Sequence, residues 1–238
     1  MSKAFAIYPI DKSNSTSFLN RIHTFETRMS CGAWHCYKVH FTDTDHERSI
    51  EQSANSHFII FMGHGGSTKL HGACARFGEI AINPTASAEN VDFYDKGTFI
   101  DSSNIAAFRG KIFFCFSCNS NEKGTRGLAR QAIINGVEAF VGFGDIPTDY
   151  EADIQFSKRC IAMYKGRIVK IIKYAIFYAV EKGETVDNLV RIIKLLTTKE
   201  IQSLHLQRPF HGRDKVIYQL YKFKDGIKIF GDAYAVID

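Results

Sequence analysis

Two segments of this 238-residue chain end an apolar run on a side chain capable of covalent chemistry. One reads Phe58-Ile-Ile-Phe-Met-Gly-His64-Gly-Gly, the other Lys111-Ile-Phe-Phe-Cys-Phe-Ser-Cys118-Asn-Ser. Cysteine attacks as its thiolate, and an unassisted thiol with a pKa of about 8.5 is mostly protonated at neutral pH. A histidine beside it accepts the proton and later returns it to a leaving amine, so His64 and Cys118 have the residue types of a nucleophilic dyad. Gly65 and Gly66 carry no Cβ, which lets the backbone approach a substrate carbonyl closely. The N–H groups of Gly65 and Cys118 are the expected oxyanion donors.

Each reactive side chain lies just past an apolar run that reads as a strand buried on both faces. In an open parallel sheet, ligands bind in the crevice beyond the carboxyl ends of such strands, and sequential strands are often neighbours. The remaining pattern supplies that sheet. Residues 4–10, 34–41, 57–62, 111–116 and 137–143 read as strands, and residues 17–28, 124–135, 153–182 and 186–206 as helices. Thr44 and Glu47 have capping-box spacing before a short polar helix to about residue 53. Gly136 closes the helix before it, and Thr185 caps the last.

Between residues 63 and 108 the pattern is irregular; weak extended runs at 76–82 and 97–100 suggest loops and a small hairpin. At the end, residues 216–223 and 227–230 flank Lys224-Asp225-Gly226, a hairpin signal. The expected fold is α/β: a mostly parallel central sheet flanked by helices in three layers, with a C-terminal helical pair and β-hairpin. Residues 1–238 are expected to form a single domain, with 153–206 either a helical layer on the same sheet or an appended subdomain.

Composition narrows the function classes. With 45% hydrophobic and 23% charged residues the chain resembles an ordinary soluble protein. The run before Pro9 is too short for a secretory leader, and the longest apolar stretch is broken by Lys165, Arg167, Lys170 and Lys173, so no membrane span is expected. Six dispersed cysteines do not form a disulfide framework, which points to reducing cytoplasm. Residues 157–173 carry six cations and no acid, but no nucleic-acid motif accompanies them, and long cationic side chains also cover apolar helix surface. Cys115 and Cys118 form a C-x-x-C, yet Cys115 falls inside a strand and no compact second ligand pair exists. No metal and no cofactor is expected. Gly63-His-Gly-Gly lacks the Lys and Ser/Thr of a phosphate loop.

Three stretches carry a resemblance to the caspase-like cysteine peptidases, most similar to their CHAT branch. They are Met62-Gly-His64-Gly-Gly-Ser-Thr-Lys-Leu-His-Gly72, Cys115-Phe-Ser-Cys118-Asn-Ser, and residues 127–142 with their helix, glycine and strand. The likeness runs over about residues 57–149, with a looser echo at 229–232, and the histidine precedes the cysteine by about fifty residues as in caspases. Asn119 departs from the acid common at that place in CHAT members.

The resemblance implies a caspase-like fold, a His64/Cys118 dyad that needs no acid, and endopeptidase chemistry on a protein or peptide through an acyl-enzyme. It also implies latency, with activation by cleavage or by a protein partner. If Asp145 or Asp149 lines the S1 pocket, a basic P1 residue is expected. The competing reading has both capping the helix that follows. A second reading of the whole chain is a catalytically inactive caspase-like interaction or signalling module.

Overall fold

The computed structural model describes residues 4–11, 15–29, 34–73, 98–148 and 156–238. Its strands are β1 (Ala4–Pro9), β2 (Trp34–Val39), β3 (Phe58–Met62), β4 (Lys69–His71), β5 (Thr98–Asp101), β6 (Ile112–Phe116), β7 (Ala139–Gly142) and β8 (Lys228–Gly231). The helices are α1 (Asn20–Met29), α2 (Asp43–Ser53), α3 (Leu128–Ile134), α4 (Lys158–Lys182), α5 (Val186–Leu206) and α6 (Arg213–Gly226). Six strands form one sheet in the order β2-β1-β3-β6-β7-β8, all parallel except β8, which runs antiparallel to β7.

Every residue of β1, β3 and β6 is buried, as central parallel strands covered on both faces must be. Pleating sends alternate residues to two cores. Phe58, Ile60, Met62, Phe114 and Phe116 join Leu19, Ile172 and Leu220 on one face. Ile59, Phe61, Phe113 and Cys115 join Phe99, Phe108 and Leu128 on the other. The first core continues from Ala4 through Ile168, Leu189 and Val216 to Ile237, so the helices after residue 157 share a core with the sheet.

The C-terminal hairpin expected over 216–230 is not formed. Val216, Ile217, Leu220 and Phe223 recur at helical spacing and are all buried, so the segment winds into α6. The Asp225-Gly226 pair ends that helix, and only Lys228–Gly231 is extended, pairing with β7. A three-helix region therefore replaces the expected pair. The cap of α2 is Thr42, whose side chain accepts from Asp45 N–H, rather than Thr44. Helix α4 starts at Lys158, capped by the Ser157 hydroxyl on Cys160 N–H, so Asp145 does not cap it. Residues 98–101 pair with β4, while the extended run expected at 76–82 lies outside the described residues.

Much of the acid-free cationic run is engaged internally. Arg167 and Lys170 both bond Glu200 on α5, the latter at 2.7 Å, and Lys165 Nζ donates to the Ser15 carbonyl at 3.0 Å. Burial opposes the charge of Glu200, but the two cations outweigh it and hold the carboxyl below its ordinary range. Among the described residues, no helix is long and apolar enough to cross a membrane.

His23 of α1 is buried against Tyr8, their rings 5.6 Å apart. Burial, and secondarily the charge of Lys38, push its imidazole down from 6.5 to about 4. Between these values the unfolded chain binds a proton that the native state refuses, so stability falls as pH is lowered through that window. Substituting His23→Phe should flatten this decline. The check is the urea midpoint of both proteins measured from pH 7 to pH 4.

Candidate active site

The carboxyl ends of three adjacent strands converge on one crevice. The chain leaves β1 for β2 on one side and returns to β3 on the other, so the order reverses at β1 and the crevice between β1 and β3 is a topological switch point. Met62 of β3 is paired with Phe116 of β6, and Gly63 N–H donates to the Phe116 carbonyl at 3.3 Å. His64 and Cys118 each follow two residues beyond this last pair, past the carboxyl ends of the two neighbouring strands.

His64 is held by a carboxylate that lies far away in sequence. Its Nε2 is 2.9 Å from Asp11 Oδ2 and 2.9 Å from Ser15 Oγ. Asp11 Oδ2 also accepts from Ser15 Oγ at 2.9 Å, Thr16 N–H at 3.0 Å and Thr16 Oγ1 at 2.8 Å. The Asp11 side chain is 2% exposed and that of His64 19%. A carboxylate at Asp11 only accepts, so this contact is made by the His64 tautomer that carries hydrogen on Nε2 and leaves Nδ1 as the basic nitrogen. Burial, followed by the Asp11 charge, raises the Tyr8 hydroxyl to about 12.

Asp11 was not assigned from sequence. The available signal was its place two residues past the β1 run Ala4–Pro9, at a strand's carboxyl end like His64 and Cys118 themselves.

Cys118 stands on a tight turn after β6. Ser117 N–H bonds the Cys115 carbonyl at 3.0 Å, and Asn119 has φ of 54°, a left-handed conformation uncommon outside glycine. Ser120 fastens the turn: its hydroxyl lies 3.0 Å from the carbonyls of both Cys115 and Ser117, and accepts from Phe143 N–H at 2.9 Å. Gly142 permits this approach, because a Cβ there would stand 2.5 Å from the Ser120 carbonyl oxygen. Asn119 N–H then donates to the Gly144 carbonyl at 3.0 Å, and Asn121 Nδ2 to the Gly226 carbonyl at 2.5 Å.

The Cys118 thiol donates to the Ile146 carbonyl at 3.4 Å. Asp145, the neighbour of Ile146, is exposed in the loop after β7, whereas Asp149 lies outside the described residues. Tyr164 of α4 faces the same region. Its buried hydroxyl has no hydrogen-bond partner among the described residues, and burial first, then the charges of Cys118 and Asp145, raise its pKa well above the ordinary value.

Gly65 pairs with Leu70 in an isolated antiparallel bridge, framed by His71 N–H to the His64 carbonyl and Gly66 N–H to the Lys69 carbonyl. In a pair framed this way, the residue's own N–H turns away from its partner strand. A Cβ at Gly65 would meet Ser117 Oγ at 2.7 Å and Leu70 Cδ2 at 2.8 Å, so the His64 loop passes close to the Cys118 turn here.

The two thiols of the C-x-x-C are separated by the sheet: Cys115 belongs to one core, while Cys118 packs against the other. Cys115 is fully buried, and burial pushes its thiol up to about 12 against hydrogen bonds from Ser117 and Ser120. No group of three or more metal-ligating side chains occurs among the described residues. His71 is half-buried and held through its backbone; His205 and His211 are exposed.

Compared with known proteins, the chain matches no family model, no curated protein and no solved structure.

Brief alkylation of the native protein by iodoacetamide at pH 7.5 should modify Cys118 and leave Cys115 and Cys160 untouched, since both are buried. Peptide mapping by mass spectrometry reads the order of modification, and denaturation should release Cys115 and Cys160 to the reagent.

Proposed function

We propose that this chain is a caspase-like cysteine endopeptidase that uses Cys118 as nucleophile and His64 as general base and acid. The observation that carries the reading is the Asp11–His64 hydrogen bond at the switch point, on the strand next to the one that ends at the Cys118 turn. It is the arrangement in which a third group orients a base toward a nucleophile. The mostly parallel sheet with helices on both faces is the architecture that the resemblance implies.

In this mechanism the Cys118 thiol leaves the Ile146 carbonyl and gives its proton to His64 Nδ1, and the thiolate attacks the scissile carbonyl carbon. The oxygen becomes an oxyanion, accepted by the N–H groups of Gly65 and Cys118. Asp11 stabilises the imidazolium through Nε2–H without taking the proton. Collapse expels the amine, protonated by His64, and leaves a thioester on Cys118. Water, deprotonated by His64, then attacks the thioester; the acid product departs and the thiol is restored.

The contact of the Cys118 sulfur with the Ile146 carbonyl turns the side chain toward the β7 loop, which supports a latent form. A protein partner that displaces the loop would release it. Asp145, one residue away, supplies a carboxylate for a basic P1 side chain, Arg or Lys. Asp149 remains the second candidate for that role.

A peptide library varied at P1, incubated with wild type, Cys118→Ala and Asp11→Asn and followed by mass spectrometry, tests the reading. Cleavage after Arg or Lys is expected from wild type and none from Cys118→Ala. Asp11→Asn should lower kcat/KM by about 100-fold or more, because His64 loses its charged orienting partner. Absence of cleavage, with a Cys118 that alkylates no faster than a free cysteine, would favour the non-catalytic interaction module instead.

A further inference from the structure

Away from the crevice, α4 and α5 enclose a groove of about 640 Å³. The connection between them is only Gly183–Thr185, which makes the two helices antiparallel neighbours. From α5, Asn188, Arg191, Ile192 and Leu195 line it at the spacing of a single helical stripe, joined by Lys194 at the edge and Tyr178 from α4. Large apolar groups stand open to solvent along it: Leu195 is 68% exposed and Tyr178 46%. A tyrosine and an arginine in one concavity are residue types enriched in binding hot spots, and the exposed leucine and isoleucine add apolar surface.

Charge says what it accepts. The single acid lining the groove, Glu184, is held at 2.8 Å by Asn188 Nδ2. Arg191 and Lys194 have no carboxylate partner among the described residues, in contrast to Arg167 and Lys170 one face away, which share Glu200. An apolar floor between unpaired cations is complementary to a helix with one apolar face and acidic flanks. A second copy of this chain would bring the same cations to an isologous contact and be repelled.

We infer that the α4–α5 groove, centred on Tyr178, Arg191, Lys194 and Leu195, is a docking site for an acidic amphipathic helix of a partner protein. It lies apart from the crevice. Lys165, which reaches Ser15 at the His64 end, precedes Tyr178 by 13 residues of α4, or about 20 Å of helix. Partner and substrate can therefore be bound together. The inference stands on the groove alone and does not depend on the catalytic reading.

The test selects from a displayed library of 20-residue helical peptides, with apolar residues at i, i+3, i+4 and i+7 and Glu, Lys or Ser at the flanking positions. The bait is the full chain, and the comparison baits are the double variant Arg191→Glu/Lys194→Glu and the variant Leu195→Asp. All three positions reach solvent, and circular dichroism verifies that each variant folds. Enrichment of Glu-flanked peptides on wild type, at least 10-fold weaker binding to Leu195→Asp, and a switch to Lys-flanked peptides on the double variant are the expected results. Equal enrichment of all flanks, no enrichment, or binding that both variants leave unchanged would overturn the assignment. So would sedimentation showing a dimer that Leu195→Asp dissociates, or a preference of wild type for anionic phosphatidylserine vesicles over every peptide.

Discussion

The parallel register of β1, β3 and β6 is the constraint on which the site depends. Because Met62 lies opposite Phe116 and Ile7 opposite Phe61, strands that end at similar levels deliver Asp11, His64 and Cys118 to one edge of the sheet. A slip of one residue would exchange the two faces of a strand, moving Phe58, Ile60 and Met62 out of one core and into the other. Both cores are rich in aromatic side chains, so the packing that stabilises the sheet also sets the level at which its strands end.

Around that register the molecule places its irregular backbone where chemistry is proposed and its regular packing elsewhere. The turn bearing Cys118 has a left-handed residue, a close approach of Gly142 to Ser120, and a serine hydroxyl in place of the missing ladder bonds. Such conformations persist only when surrounding contacts over-determine them. Here β7 and the end of α6 provide those contacts, through Phe143, Gly144 and Gly226. The His64 loop is fixed from the other side by its bridge to β4 and by the Asp11 cluster.

The cations that looked like one continuous basic face in the sequence are divided by the fold. Lys165 ties α4 to the Ser15 loop, Arg167 and Lys170 bind Glu200, and Lys173 lies over the rings of Phe25 and Tyr174. Helical spacing spreads residues 158–173 around the whole circumference of α4, so adjacency along the chain does not create a shared surface. The exposed groove draws its cations from α5 instead.

From the sequence by itself the α/β class, the five parallel strands, the bounds of α5 with its Thr185 cap, and the placement of His64 and Cys118 at strand ends were all legible. Each rests on local pattern: apolar runs, helical spacing, and caps within four residues. The Asp-Gly pair misled because it marks a chain reversal without saying whether a strand or a helix enters it, and burial of Val216, Leu220 and Phe223 against the sheet decided for helix. Only the tertiary structure decided the partner of His64. Asp11 is 53 residues away, and nothing local distinguishes it from any other carboxylate after a strand until parallel pairing of β1 with β3 brings the two side chains within 2.9 Å. The same holds for Ser120 and Gly142, whose close approach depends on β6 lying beside β7. Local preferences act over a few residues, whereas a site is assembled by strand order, which long-range burial selects.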